Sequence, residues 1–137
     1  MLFVAASSGA PKRVGVYSLA TGRSQFLIDG DRARYSSGHI VFSRGSAIWA
    51  VEFDLARLAV KGEAIKIAEG VSTLGAETIA EFDATPGGSL AYVPAGLAGG
   101  GGSMVAVVDR HGARQTPIKD IRSFQTVEAS PDGKTLA

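Results

Sequence analysis

The chain has 137 residues, no cysteine and a formal net charge of +1. Its acids and bases are interspersed, so there is no electrostatic footprint for nucleic acid or an anionic membrane surface, and without thiols neither disulfides nor thiolate metal sites can form. Eighteen glycines against 7% aromatics point to a turn-rich β protein with the length of one ordinary domain.

The first strand is expected over Leu2–Ala6. With Met1 it makes an apolar run of only six residues, with no basic segment before it. That is shorter than a signal-peptide core, and no stretch approaches membrane-spanning length, so the chain as written reads as cytoplasmic, with an extracytoplasmic location left open to a parent protein that carries the targeting signal. Both ends read as cut from something longer, within an apolar strand. Arg13–Leu19 follows as the second strand, then Ala20-Thr21-Gly22-Arg23 as a tight turn into Ser24–Ile28. Next come His39–Ser43, the long Ser46–Asp54, a looser Leu55–Glu63 connection and Ala64–Ala68. Leu55–Val60 is the one segment with the makings of a helical turn, but it is shorter than a stable helix needs. The remaining expected strands are Ile79–Ala84, Leu90–Pro94, Met104–Asp109, Gln115–Ile118 and Phe124–Ala129.

Three turn-then-strand passages recur: Ser36-Ser37-Gly38-His39-Ile40, Thr85-Pro86-Gly87-Gly88-Ser89-Leu90-Ala91 and Ser130-Pro131-Asp132-Gly133-Lys134-Thr135-Leu136-Ala137. Gly38 lies 50 residues before Gly88, and Pro86 lies 45 before Pro131. Turns closing on Gly22, Gly62 and Gly112 repeat at 40 and 50 residues. Four strands per unit of ~40–50 residues is the dimension of a propeller blade. Continuous apolar runs such as Ile40-Val41-Phe42 and Val105-Ala106-Val107-Val108 suit strands covered on both faces. A two-sheet sandwich, the second choice, would show more alternation because each sheet keeps a wet face. The turns themselves have a cause: in Ser130-Pro131-Asp132-Gly133 proline presets φ, aspartate bonds the local backbone and glycine supplies positive φ.

Ser130–Ala137 resembles the SPDG-x-x-LA signature of the WD40-like (PD40) repeats in TolB-like six-bladed β-propellers. Ala84–Val93 resembles a degenerate copy, and Leu19-Ala20-Thr21-Gly22-Arg23 is similar to the TG hairpin of the same repeats. Ile48–Leu55 with Gly62-Glu63-Ala64 resembles a longer-hairpin blade of bacterial multidomain proteins, in which such propellers follow a kinase or DNA-binding domain. The resemblance implies blades at about 1–37, 38–85 and 86–129, with a fourth starting at 130–137. It departs from the family in blade count, because three blades leave two faces open. Pairing of two chains about a two-fold axis, a homodimer, is the expected remedy. In such a ring Lys134–Ala137 competes with Leu2–Ala6 of the partner for one place.

Chemistry-bearing residues are sparse. His39 and His111 fall in turns, outside any metal-ligand spacing. Gly101-Gly102-Ser103-Met104-Val105 lacks the last glycine of a nucleophile elbow. Gly99–Gly102 leads into a strand rather than a helix N-terminus, against a phosphate cradle. Asp29-Gly30-Asp31 lacks the further ligands of a calcium loop and reads as a polar connection. Glu52, Asp54 and Asp83 read as solvated strand-end carboxylates or as partners for Arg44 and Arg57, and Trp49 and Phe53 as core. Tyr17, Tyr35 and Tyr92 lack interleaved basic residues for single-strand binding.

No catalytic, cofactor or metal residue is therefore assigned. The leading expectation is a non-catalytic propeller scaffold, part of a sensor or regulatory protein, that presents a surface to a protein or peptide. Its recognition turns are Asp54–Glu63, Asp109–Arg114, Ser36–His39 and Thr85–Ser89, at one end of the strands. The alternative is the propeller portion of a hydrolase, peptidase or lyase with an active site at the ring mouth, for which two or more of Glu52, Asp54, Asp83, Asp109 and His111 would converge there. A third reading is a sensor-domain piece able to assemble but without a function alone.

Overall fold

In the computed structural model, which describes residues 1–74, 79–95, 104–109, 111–118 and 127–137, every element is a strand. Three antiparallel meanders account for most of it. β1 (Leu2–Ser7), β2 (Ala10–Ser18) and β3 (Arg23–Asp29) form the first sheet. The second holds β4 (Ala33–Ser36), β5 (His39–Arg44), β6 (Ala47–Asp54) and β7 (Ala59–Ala68) in that order. After the small hairpin β8 (Thr73–Leu74) and β9 (Ile79–Ala80), the third sheet runs β10 (Phe82–Ala84), β11 (Leu90–Tyr92), β12 (Ala106–Val108) and β13 (Arg114–Gln115). Past the third sheet, an Ala129–Leu136 bridge closes the Ser130–Thr135 turn. The Gly96–Ser103 glycine loop, Arg110 and the Phe124 end of the last expected strand lie outside the described residues.

The sheets stack face to face, and each covered layer is built from facing rows of alternate residues. Val14 and Val16 of the first sheet meet Ile40, Phe42, Val51 and Phe53 of the second. Val41, Ile48 and Ala50, the second sheet's other row, meet Phe82, Leu90, Tyr92 and Ala106 of the third. The middle sheet is thus apolar on both faces, which is why Ile40-Val41-Phe42 reads as an unbroken apolar run rather than an alternation. A third cluster gathers Ala91, Val93 and Val105 with Val127, and Val107 packs against it.

The hydrogen-bonded sheets are phased one strand earlier than the repeat read from the sequence. Ala33–Ser36, left unassigned there, is the leading strand of the second sheet, pairing Ala33 with Phe42 and Ser36 with His39. Phe82–Ala84 likewise leads the third sheet. The recurrent Gly turn therefore sits inside the second and third sheets, between the first two strands of each, rather than between units. No leading strand pairs with β1 among the described residues.

Two turns also differ from expectation. Gly62 (φ 68°) lies within β7, where the pairing slips between Ala50 and Glu52, so it marks a β-bulge and not the hairpin turn. The turn itself is residues 55–58, where the Asp54 carboxylate accepts from the Ala56 and Arg57 N–H groups, both at 3.0 Å. Those bonds satisfy the short Leu55–Leu58 segment without a helix. Gly30 is the tight point of the connection into β4. A Cβ there would lie 2.9 Å from the Phe42 ring and 3.0 Å from the Ser43 carbonyl oxygen, so no larger residue fits.

Candidate functional site

Because neighbouring strands run antiparallel, the β2–β3, β4–β5, β6–β7, β10–β11 and β12–β13 turns share one end of the stack. Contacts between sheets hold that end together. Ser36 Oγ donates to the Thr85 carbonyl at 2.6 Å, and the Ser37 N–H to the Pro86 carbonyl at 3.1 Å. Gln25 Nε2 donates to the Leu58 carbonyl, tying the first sheet to the β6–β7 turn.

Along the leading strands the tie is ionic. Arg34 Nε donates to Asp83 Oδ1 at 2.7 Å, and Arg32 lies 3.9 Å from Glu81. Two arginines two residues apart, Arg32 just before β4 and Arg34 within it, thus face two acids two residues apart, Glu81 just before β10 and Asp83 within it. Both acids are buried, at 4% exposure for Glu81 and 7% for Asp83. Burial pushes the Glu81 carboxyl above the usual carboxylate value, an effect that Arg32 only partly offsets. Glu81 Oε2 has no hydrogen-bond partner among the described residues.

Between the second and third sheets, at the turn end, opens a groove of about 530 Å³. Val41, Ala50, Ile65 and Ile67 line one wall and Ala84, Leu90 and Val108 the other. Its rim is Ser36, Ser37, His39, Gly88, Ser89, Asp109 and Gly112. Ile65 and Ile67 are exposed in it, at 63% and 42%. They project because β7 runs ten residues while the facing outer strand β13 runs two. An apolar floor, few polar rim groups and this volume are the attributes of a ligand or peptide cleft.

Three of the four recognition turns read from the sequence meet at this groove: Ser36–His39, Thr85–Ser89 and the Asp109–Arg114 hairpin. The fourth, Asp54–Glu63, contributes no lining residue. Of the carboxylates of the enzymatic alternative, Glu52 and Asp54 lie together, while Asp83 and Asp109 are held elsewhere. Glu52 and Asp54 share Lys61, at 3.8 and 3.4 Å. The Arg57 N–H, then Lys61 and the Ala56 N–H, hold the Asp54 carboxyl below its usual value against a smaller opposing effect of burial. Asp83 is committed to the leading strands. Asp109 accepts from the His111 and Ala113 N–H groups of its own turn, at 2.8 and 2.9 Å. Among the described residues no three His, Asp or Glu side chains gather as a metal site would require.

Arg44 is a correction. Among the described residues it pairs with no carboxylate, but donates to the Asp29 carbonyl at 2.9 Å and lies over the Phe42 and Trp49 rings. Arg57 does sit 3.9 Å from Asp54. Asp31 accepts from the Gly45 N–H at 3.0 Å, so Asp29-Gly30-Asp31 is a packed connection. Trp49 and Phe53 pack in the layer between the first two sheets.

Sequence reasoning missed Arg32, Arg34, Ile65 and Ile67. The signal for the first two was a constant offset: Arg34–Asp83 and Ser36–Thr85 are each separated by 49 residues. No family model, curated protein or solved structure matches the chain.

Proposed function

We propose that the chain is a non-catalytic β-propeller scaffold, of the kind its TolB-like repeat motifs imply, whose turn end grips an extended peptide or protein segment. In this reading the stacked sheets are successive blades, and a second copy completes the ring. The observation that carries the binding role is the groove between the second and third sheets, where three recognition turns surround an exposed apolar floor. Burying Ile65 and Ile67 under a partner's apolar side chains would contribute about 25 cal/mol per Å² covered. The Ser37 and Ser89 hydroxyls at the rim supply hydrogen bonds that orient the segment.

Selection of a random peptide display library on the purified protein tests the reading. Binders carrying apolar anchors are expected, competing with one another and weakened by Ile67→Asp, an exposed position that leaves the fold intact. Failure to select any binder, or binding indifferent to that substitution, would overturn it.

A further inference from the structure

We infer that the groove over Ile65 and Ile67 takes a partner segment with apolar side chains two residues apart, docked as the chain's own Leu58-Ala59-Val60 docks on the first sheet. The inference rests on the groove reading above and supplies the class of partner.

The first two sheets match residue by residue. The connection leaving each is anchored alike, by the Gly30 N–H on the Lys12 carbonyl and the Val71 N–H on the Ser46 carbonyl, both at 2.9 Å. Counted from those anchors, Val14 corresponds to Ile48 and Val16 to Ala50. A bulge falls at the same place in both outer pairings. Leu27 is the extra residue between the Val14–Ile28 and Gly15–Phe26 pairs, and Ile67 between Ile48–Ala68 and Trp49–Lys66. Val16 pairs with Gln25 and Ala50 with Ile65, so Gln25 corresponds to Ile65 and Leu27 to Ile67. The third sheet joins the series through the next N–H groups: Asp31 donates to the Ser43 carbonyl and Ser72 to the Val93 carbonyl. Val41 therefore corresponds to Ala91, and their partners Ala50 and Val107 correspond in turn. Val107 pairs with Gln115, so glutamine stands opposite this position in the first and third sheets and isoleucine in the second.

What covers these positions differs between the layers. Over the first sheet, the Gln25 side-chain amide donates to the Leu58 carbonyl, and Leu58 and Val60 join Leu27 in the apolar layer. Both belong to the β6–β7 hairpin, in which fourteen residues separate Ala50 from Ile65 and let it reach the sheet before. Only seven separate Val107 from Gln115 in the third sheet. With the shorter hairpin the same cover is missing: Leu27 is half-buried, whereas Ile65 and Ile67 stand 63% and 42% exposed. The exchange of glutamine for isoleucine has a chemical direction. An amide recognises a backbone carbonyl, as Gln25 does, whereas isoleucine offers no donor and is stabilised only by apolar side chains laid over it. The chain itself shows the form of such a cover, since Leu58 and Val60 lie two residues apart and both reach one apolar layer. A polar or charged segment would leave Ile65 and Ile67 without that contact.

The probe is a synthetic peptide with the sequence of residues 53–64, labelled at its N-terminus and titrated with the full chain under fluorescence anisotropy. A second peptide carries Leu58→Ser and Val60→Ser. Wild type is expected to bind the first saturably and the second at least about tenfold more weakly. Ile65→Gln gives the second sheet the residue that the other two sheets hold at this position, so it is expected to keep the wild-type circular dichroism. It is also expected to weaken the first peptide at least about tenfold. If that variant fails the folding check, Ile67→Ser, at the neighbouring exposed position, replaces it. No saturation by about 1 mM, equal binding of the serine peptide, or wild-type affinity in the variant would overturn the inference. Library-selected peptides that still lose binding with Ile67→Asp would then show that the groove reading survives and only this class of partner falls.

Discussion

Arg34 and Asp83, 49 residues apart, join the leading strands of two sheets through a 2.7 Å charge-assisted hydrogen bond. The second Asp83 oxygen accepts from the Ala129 N–H, also at 2.7 Å. One buried carboxylate therefore ties β4, β10 and the C-terminal turn into a single line. It also fixes the offset between sheets on which the groove geometry depends.

Removing that carboxylate leaves a part-buried guanidinium and a backbone N–H without their acceptor. Asp83→Ala is expected to lower the urea midpoint with unchanged slope, by an amount equivalent to about 2 kcal/mol. In a double-mutant cycle with Arg34→Ala, the coupling is expected near 1 kcal/mol, since Arg34 is partly solvated. A cycle showing no coupling would mean the pair is incidental to the stacking.

Gly30→Ala tests the packing between the first and second sheets. The added methyl would meet the Phe42 ring at 2.9 Å and the Ser43 carbonyl oxygen at 3.0 Å, and overpacking of this kind costs about 1–3 kcal/mol. Gly45→Ala serves as the control for backbone strain, because it adds a Cβ at φ 57° with nothing within 4 Å. Equal losses from the two substitutions would contradict the packing explanation.

Glu81 sets a pH dependence of definite sign. Its folded carboxyl holds its proton above the ordinary value of 4.5, so the folded state binds more protons there than the unfolded chain. Stability attributable to Glu81 must fall as pH rises through that region. Glu81→Gln removes the effect, so wild type is expected to lose stability relative to the variant between pH 4 and pH 7. Urea midpoints for both proteins across that range decide it, and parallel curves would contradict the assignment.

The Ser130–Thr135 turn predicts the opposite shift at Asp132. The Ser130 hydroxyl first, then the Lys134 N–H, hold its carboxyl below the ordinary value of 3.8. Its contribution is present above that value and is lost as pH falls through the lowered one. Carboxyl NMR titration is expected to show a depressed midpoint that moves up in Ser130→Ala. A midpoint unchanged by the substitution would rule the hydroxyl out as the cause.

What the sequence disclosed about this fold was local. Ile40-Val41-Phe42 and Ser46–Asp54 announce themselves as strands because burial on both faces and Gly-closed turns are written in neighbouring residues. Ala33-Arg34-Tyr35-Ser36 did not, because Arg34 makes it look like a polar connection, and the residue that neutralises it is 49 positions away. The error in phase followed from that omission. The groove was half legible: its rim is made of Ser, Gly and Asp turns, whose chemistry is visible. Its wall is not, since Ile65 and Ile67 are exposed only because the facing strand β13 is two residues long.

Static light scattering of the wild-type protein in line with size exclusion tests the stacked-ring account most directly. The account predicts a species of two copies of the 14.1 kDa chain, persisting on dilution to low micromolar concentration. A single 14.1 kDa species at all concentrations would contradict it.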